Sequence, residues 1–415
     1  MNNKILQRSA YGTKLRFPGY NKAWKTAQLG DVCKIVSERL DPKNDSSVRC
    51  IELEHIEACT GRLLGTTTTA EIVSLKAVFR PGDVLFGKLR PYLKKFYMPS
   101  FTGVCSTEIW VLRPTNCVID AAFLFCIIQS SLVQRSANAT FGTKMPRADW
   151  DVVSATPIRF PELDEQSRIS GLHQSINQTT EYLDRLIAAK REQKRGLMQQ
   201  LLTGKLRFPG FTEPWKTVRI DQLGVVKSGG TPSTDTPEYW GGVHSWCTPT
   251  DVTALNTRYL KKTTRTISDS GVKFSAAELL PPQSVIVCTR ATVGIAAINT
   301  IPMATNQGFK SIIPGLDVDT DFLYYAIMFV KRELLRRAAG STFLEVSLTS
   351  FREIPILWPS SLNEQKRVSR FLGALDHEIE LLEQQRAAFA AQRRGLMEKL
   401  LSGEIDIQNP KETAA

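Results

Sequence analysis

The 415 residues include eight cysteines but no CxxC pair, which argues against a disulfide framework and for a reducing compartment. No apolar run approaches the length of a membrane span, and no signal peptide opens the chain, so a cytoplasmic location is expected. The four histidines are scattered, with no His-x-x-x-His pair. Cys50, His55 and Cys59 alone have ligand-like spacing, but a fourth ligand is missing, so no metal is expected. A Gly-x-Gly-x-x-Gly fingerprint is also missing. The run Gly82 to Lys88 has phosphate-loop spacing, yet Leu89 stands where a magnesium-binding Ser or Thr is needed, and the run reads as a strand. There is no Asn/Asp-Pro-Pro-Tyr/Phe run of the kind amino-methyltransferases carry. Glu192-x-Lys194 and Glu364-x-Lys366 have a nuclease-like spacing, but both fall on helical stretches without a preceding Pro-Asp strand. No catalytic group and no cofactor are therefore expected in this chain.

What the chain does have is a long internal repeat. Gln193 to Lys205 reads QKRGLMQQLLTGK and recurs as QRRGLMEKLLSGE at Gln392 to Glu404, an offset of 199 residues. The same offset carries Asp164-Glu165-Gln166 onto Asn363-Glu364-Gln365. A second element, Lys14-Leu-Arg-Phe-Pro-Gly with Trp24-Lys-Thr, returns 191 residues later as Lys205-Leu-Arg-Phe-Pro-Gly with Trp215-Lys-Thr. A period near two hundred is too long for a solenoid and implies a domain followed by a helix, made twice.

Both copies of the repeat read as long helices. Ile169, Ile176, Leu183, Lys190 and Leu197 are seven apart, as are Val368, Leu375, Leu382, Phe389 and Leu396. Leu172, Leu186 and Phe371 add intermediate positions, completing an a/d seam of coiled-coil type. Asp164 and Asn363 are the expected N-caps, and Gly204 and Gly403 the expected stops. Some 35 residues make a rod of roughly 50 Å. Two equal repeats usually pack about a pseudo-twofold, so the helices are expected to be antiparallel, each covering the other's apolar strip. Lys190 and Gln193 interrupt the first seam.

The rest divides accordingly. Residues 1–26 form a basic arm, 27–160 a first domain, 161–204 the first long helix, and 205–217 a connecting element. Residues 218–358 form a second domain, 359–403 the second long helix, and 404–415 a tail. The arm and the connecting element are expected to pack through Trp24 and Trp215, with Pro18 and Pro209 stopping the preceding segments. Each domain reads as mixed α/β: short apolar runs bounded by turn residues, then one helix, from Asp120 to about Ala137 and from Asp321 to about Ala338. Val84-Leu-Phe corresponds to Val285-Ile-Val, and the exits Pro157 to Pro161 and Pro355 to Pro359 match. The scaffold repeats while the polar residues differ, as expected for two similar domains reading different things.

The net charge of +12 suits a polyanionic partner. Residues 27–160 carry 16 basic and 13 acidic side chains, so contact must use local patches. Lys88, Arg90, Tyr92, Lys94 and Lys95 interleave cations with an aromatic ring, and Lys144 and Arg147 lie in a later loop. Arg290, Asn306, Gln307 and Lys310 are the candidates in the second domain. Arginine, asparagine and glutamine suit base edges, and lysine suits phosphate.

This layout resembles the specificity subunit of type I restriction-modification systems. The residues carrying the resemblance are the Glu-Gln helix starts, the Gly-Leu-Met…Leu-Leu-x-Gly helix ends and the Lys-Leu-Arg-Phe-Pro-Gly…Trp-Lys elements. Val84 to Tyr92, Asn306-Gln307 and the Pro-Ile-x-x-Pro exits belong to it too. The resemblance implies an α+β protein with two target-recognition domains, separated by two antiparallel coiled-coil helices acting as a spacer. Each domain would read half of a bipartite site in double-stranded DNA. The helices would dock two modification (methyltransferase) subunits that bind S-adenosylmethionine. Separate restriction subunits would use ATP, with magnesium. By this resemblance the chain itself catalyses nothing. One departure is plain: Ser106-Thr107-Glu108 stands in the first domain where the second has Asn306-Gln307, so that strand's role does not carry across. A free-standing methyltransferase or nuclease, and a coiled-coil scaffold that never meets DNA, are the other two readings.

Overall fold

The computed structural model describes residues 17, 19–41, 43, 47–71, 74–115, 117–139, 145–339 and 344–402. Lys14, Pro18, Lys144 and Gly403 therefore lie outside the described residues. The chain divides into two units: Met1–Leu183 with Arg386–Ala415, and Asp184–Gln385. The division falls inside both long helices, Leu163–Leu201 and Leu362–Ser402, so each unit owns a segment of each.

The first unit is built on an antiparallel sheet ordered Cys33–Ile35, Ile109–Pro114, Val84–Gly87, Phe96–Tyr97. A second, five-stranded sheet runs Arg39–Leu40, Lys76–Phe79, Gly103–Cys105, Arg49–Ile51, Thr67–Thr68, with one parallel pair, Cys50 beside Val104. The strand Val84–Gly87 is buried along its whole length, which is why it reads as unbroken apolar sequence rather than an alternation. The domain closes on itself where Lys25–Gln28 pairs with Pro157–Phe160.

In the second unit Gly224–Ser228, Phe309–Pro314, Val285–Cys288, Ala296–Asn299 and Tyr259–Leu260 form the main sheet, and Trp240–Cys247 centres a smaller one. The registers match those of the first unit. Leu112 stands opposite Val84, and Ile312 opposite Val285. Cys50 lies parallel to Val104, and Trp246 parallel to Ala304.

The helix that follows each sheet is broken where the sequence suggested continuity. Ala121–Gln129 ends at Ser130, whose extended backbone closes one helix while its hydroxyl caps the next, Ser131–Asn138. Thr320–Phe329 likewise gives way to Lys331–Arg337. Asp319, not Asp321, is the N-cap, accepting from Phe322 N, just as Asp120 accepts from Ala122 N and Phe123 N.

The Glu-Gln helix starts have a structural explanation. Gln166 is fully buried: its amide nitrogen donates to the carbonyls of Val118 and Pro161, and its oxygen accepts from Asp120 N, all at 2.8 Å. Gln365 repeats the pattern with Asp317 O, Pro359 O and Asp319 N. One amide thus satisfies three backbone groups that burial would otherwise leave unpaired. Glu364 is forked by Arg207, through Nε at 2.8 Å and Nη2 at 2.9 Å. The long helices begin at Leu163 and Leu362, so Asp164 and Asn363 lie in the first turn and are not the caps; Ser361 Oγ accepts from Glu364 N instead. Gly204 takes a left-handed φ of +66°, and a Cβ there would touch the Trp215 ring at 3.4 Å.

Within the second unit the helix segments run antiparallel. Lys190 pairs with Glu378 at 2.6 Å, and Lys194, further along, pairs with Asp376, further back. The first unit has the corresponding contact, with Arg393 donating to Asn177 Oδ1 at 2.6 Å. Ile169, Leu183, Val368, Leu372 and Ile379 are buried, while Leu172, Ile176, Leu186, Leu197, Leu375, Leu382 and Leu396 are half-buried. Phe371 and Phe389 are the most exposed of the expected seam positions, at 37% and 40%. Ile187, Leu372, Ile379, Met397 and Leu400 are buried as well, and Leu372, Met397 and Leu400 belong to the apolar cores of the domains. At about 100° per residue Leu372 lies about 40° from Val368 around the helix and Phe371 about 60°, so the leucine is nearer the buried face, and Val368 and Leu372 share one apolar cluster.

Candidate nucleic-acid interface

Three segments meet at a corner of the first unit. The strand Val84–Gly87 leaves its sheet through Gly87, where a Cβ would come within 2.8 Å of the Leu53 side chain. Lys88 N then donates to Glu108 O at 2.9 Å, and Lys88 O accepts from Ala148 N at 2.8 Å. Leu89 is bridged to Arg147, and Arg90 N donates to Pro146 O at 2.8 Å. Arg90 and Lys94 adopt left-handed φ values of +52° and +50° on either side of the turn Pro91–Leu93. Left-handed backbone at non-glycine residues is costly and tends to collect at functional sites.

The second unit builds the same corner. Thr289 N donates to Gly308 O and Thr289 O accepts from Val346 N, at 2.8 and 2.9 Å. Arg290 is bridged to Glu345, and Ala291, like Arg90, has a left-handed φ, +60°. Gly229 passes so close that a Cβ would lie 1.9 Å from Asn306 O. The backbone frame is thus shared and the side chains are not.

Arg147 is held by Glu108 in a two-pronged ion pair: Nε donates to Oε2 and Nη2 to Oε1, both at 3.0 Å. The guanidinium hydrogen bond, with its charge, lowers the Glu108 carboxyl pKa from its ordinary value. In the second unit the signs are exchanged. Glu345 takes the place of Arg147, with Lys310 Nζ at 3.6 Å and Arg290 Nε at 4.0 Å.

The expected contacts divide by orientation. Arg90, Lys94, Arg147 and Gln307 are exposed, and Tyr92 is 54% exposed. Lys88 and Arg290 are half-buried. Lys95 points back into the fold, donating to Leu53 O at 2.6 Å. Lys310 is buried against Glu345. Asn306 uses its side-chain oxygen to accept from Gly308 N at 2.9 Å, closing its own turn, while Gln307 Oε1 accepts from the Thr231 hydroxyl. Lys144 lies outside the described residues. The carboxylates Glu108 and Glu345 were not among the expected contacts; no local pattern in the sequence ties them to Arg147, or to Lys310 and Arg290.

Among the described residues, no group of three His, Cys, Asp or Glu side chains could hold a metal ion. The Cys50 and His55 side chains are each engaged locally. Burial, with Glu52 nearby, pushes the Cys50 thiol up to about 12, and His55 Nδ1 accepts from Glu52 N at 3.0 Å. Cys59 is exposed. No described helix is long and apolar enough to cross a membrane.

A model of the type I restriction modification DNA specificity domain matches the chain twice, over residues 21–189 and 212–388. The chain belongs to the type I restriction-modification DNA specificity family. Its two matches each contain one of the corners described above. The specificity subunit of the HindI enzyme of Haemophilus influenzae is 24% identical, over 92% of this chain and 99% of that one. The specificity subunit of the MjaIX enzyme of Methanocaldococcus jannaschii is 34% identical over 168 residues, which is 40% of this chain and 39% of that relative. Among solved structures, a chain from work on the assembly and conformational transition of the type I R-M system aligns over 92% of this protein and 98% of its own length, with a TM-score of 0.63 and 23% identity. The HsdS subunit of Thermoanaerobacter tengcongensis aligns over 93% and 98%, with a TM-score of 0.51 and 22% identity. These likenesses in structure speak to the fold of the specificity family and to nothing finer.

Proposed function

We propose that this chain is the DNA-recognition subunit of a type I restriction-modification complex and that each unit reads one half of a bipartite site in double-stranded DNA. The observation that carries this reading is the repeated corner: one backbone frame, held by equivalent hydrogen bonds in both family domains, presenting different side chains. A constant frame with variable polar groups is what two independent half-site readers need, because phosphate contacts set register while base-edge contacts set sequence. The exposed Arg90, Tyr92 and Lys94 supply cations and an aromatic face for the duplex in the first unit. The long helices dock two modification subunits, which bring S-adenosylmethionine. Restriction subunits bring ATP-driven chemistry with magnesium. In this reading the chain itself provides no catalytic group.

The test has two arms. Cells expressing the chain with its modification subunits should acquire methylation at one two-part motif, and cells lacking only this chain should not. The purified chain alone should neither methylate nor cut DNA. Activity that survives contaminant removal and disappears on changing a residue of this chain would favour a free-standing enzyme. Absence of any salt-dependent duplex binding would favour a scaffold.

A further inference from the structure

We propose that Arg147 is a base-reading residue specific for guanine and that Glu108 is the positioning residue that aims it. This rests on the DNA-reading role proposed above and deepens it. A guanidinium has two edges that offer parallel N–H donors. Glu108 engages one of them, taking Nε–H and one Nη2 hydrogen. The other edge, Nη1 with the second Nη2 hydrogen, has no partner among the described residues. That edge has the spacing to meet guanine O6 and N7 together in the major groove.

An unrestrained arginine loses much rotamer freedom when it docks. One already clamped in a plane loses less, and the clamp also fixes the direction in which the remaining donors point. Arg147 is half exposed, at 51% of its side chain, while Glu108 is less so, at 28%. The carboxylate is therefore the inner member and the guanidinium the outer one. Both are anchored by backbone: Glu108 O accepts from Lys88 N, and Arg147 is bridged to Leu89 beside the left-handed Arg90. A surface ion pair serving only stability does not require such a frame, since exposed pairs contribute little.

The second unit provides an internal contrast. Glu345 stands where Arg147 stands, with the buried Lys310 at 3.6 Å and the half-buried Arg290 at 4.0 Å from its carboxylate. The outward fork does not recur there. Variants at Arg147 should therefore alter one half of the DNA motif and leave the other untouched.

The experiment uses the full chain expressed with its modification subunits, with the methylated motif read genome-wide. The wild-type motif is established first; failure to obtain any two-part motif sinks the underlying function and this inference with it. Given that motif, Arg147→Lys keeps the charge and loses the fork. It should relax one guanine position in one half-site, roughly ten- to a hundredfold in preference, with all other positions unchanged. Glu108→Gln keeps one acceptor and loses the two-pronged clamp, so it should weaken preference at that same position by a smaller factor. Thermal melting of both variants is measured alongside. A lowered melting temperature with an unaltered motif would make the pair purely structural and overturn the proposal. A uniform loss at every position would make Arg147 a phosphate contact and overturn it equally. Relaxation at different positions in the two variants would break the link between Glu108 and Arg147.

Discussion

His173 shows how one side chain can set a pH limit on a helix. It is buried on the first long helix, edge-on to Phe125 at 6.1 Å, with Asn177 Nδ2 3.4 Å from its Nδ1. Burial, reinforced by the nearby Arg393 charge, lowers its pKa to about 4. The unfolded imidazole titrates near 6.5, so between these values the unfolded chain binds a proton that the folded chain refuses. Stability should fall as pH drops from about 6.5 to about 4, by on the order of 3 kcal/mol in all. The second helix has Leu372 at the equivalent position, 199 residues on. His173→Leu should flatten that part of the curve, measured by denaturant unfolding across pH; an unchanged slope would place the titrating group elsewhere. The two adjacent lysines make a second residue-level contrast. Lys94→Ala should reduce the salt slope of duplex binding by about one, since Lys94 is exposed. Lys95→Ala should leave that slope unchanged, because its amine already donates to Leu53 O.

At the scale of elements, the long helices were legible because their signals are periodic and duplicated. What periodicity missed was phase. Phe371 was assigned to the seam by its spacing from Val368; its ring is 37% exposed and edge-on to Phe208 at 5.7 Å, whereas its neighbour Leu372 is fully buried. Leu372→Ala should cost about 2–5 kcal/mol, the usual loss for a buried leucine. Phe371→Ala should cost less than Leu372→Ala, because its ring is 37% exposed and leaves less of a cavity behind. Equilibrium unfolding of the two variants decides between the phases, and equal losses would contradict the observed packing. Lys190 was read as an interruption of the seam, but it reaches Glu378 across the helix pair. A long aliphatic stem can cover apolar surface while its charge meets a partner at the rim.

At the scale of the molecule, the function proposed for the two family domains carries a prediction of modularity. Replacing residues 218–358 with the matching domain of a related protein should change one half of the methylated motif and preserve the other. Changes in both halves would show that the domains do not read independently.

The sequence by itself determined the duplication, the two long helices, the mixed α/β domains and the family. Repeats and periodicity are one-dimensional properties, and a chain cannot hide them by folding. It also placed the corner's basic residues near one another, because Lys88 to Lys95 are neighbours along the chain. Which of them face outward was decided only by the tertiary structure. Lys95 and Lys94 are adjacent, yet a left-handed turn at Lys94 sends one into the fold and leaves the other in water. Lys310 read as a surface cation until Glu345, from a distant loop, closed over it. Gln166 read only as half of a repeated motif, whereas burial makes its amide the partner of three backbone groups. Arg147 and Glu108 are 39 residues apart and carry no mark of each other in the sequence. Orientation and pairing depend on which segments the fold brings together, and that depends on burial summed over the whole unit rather than on any local pattern.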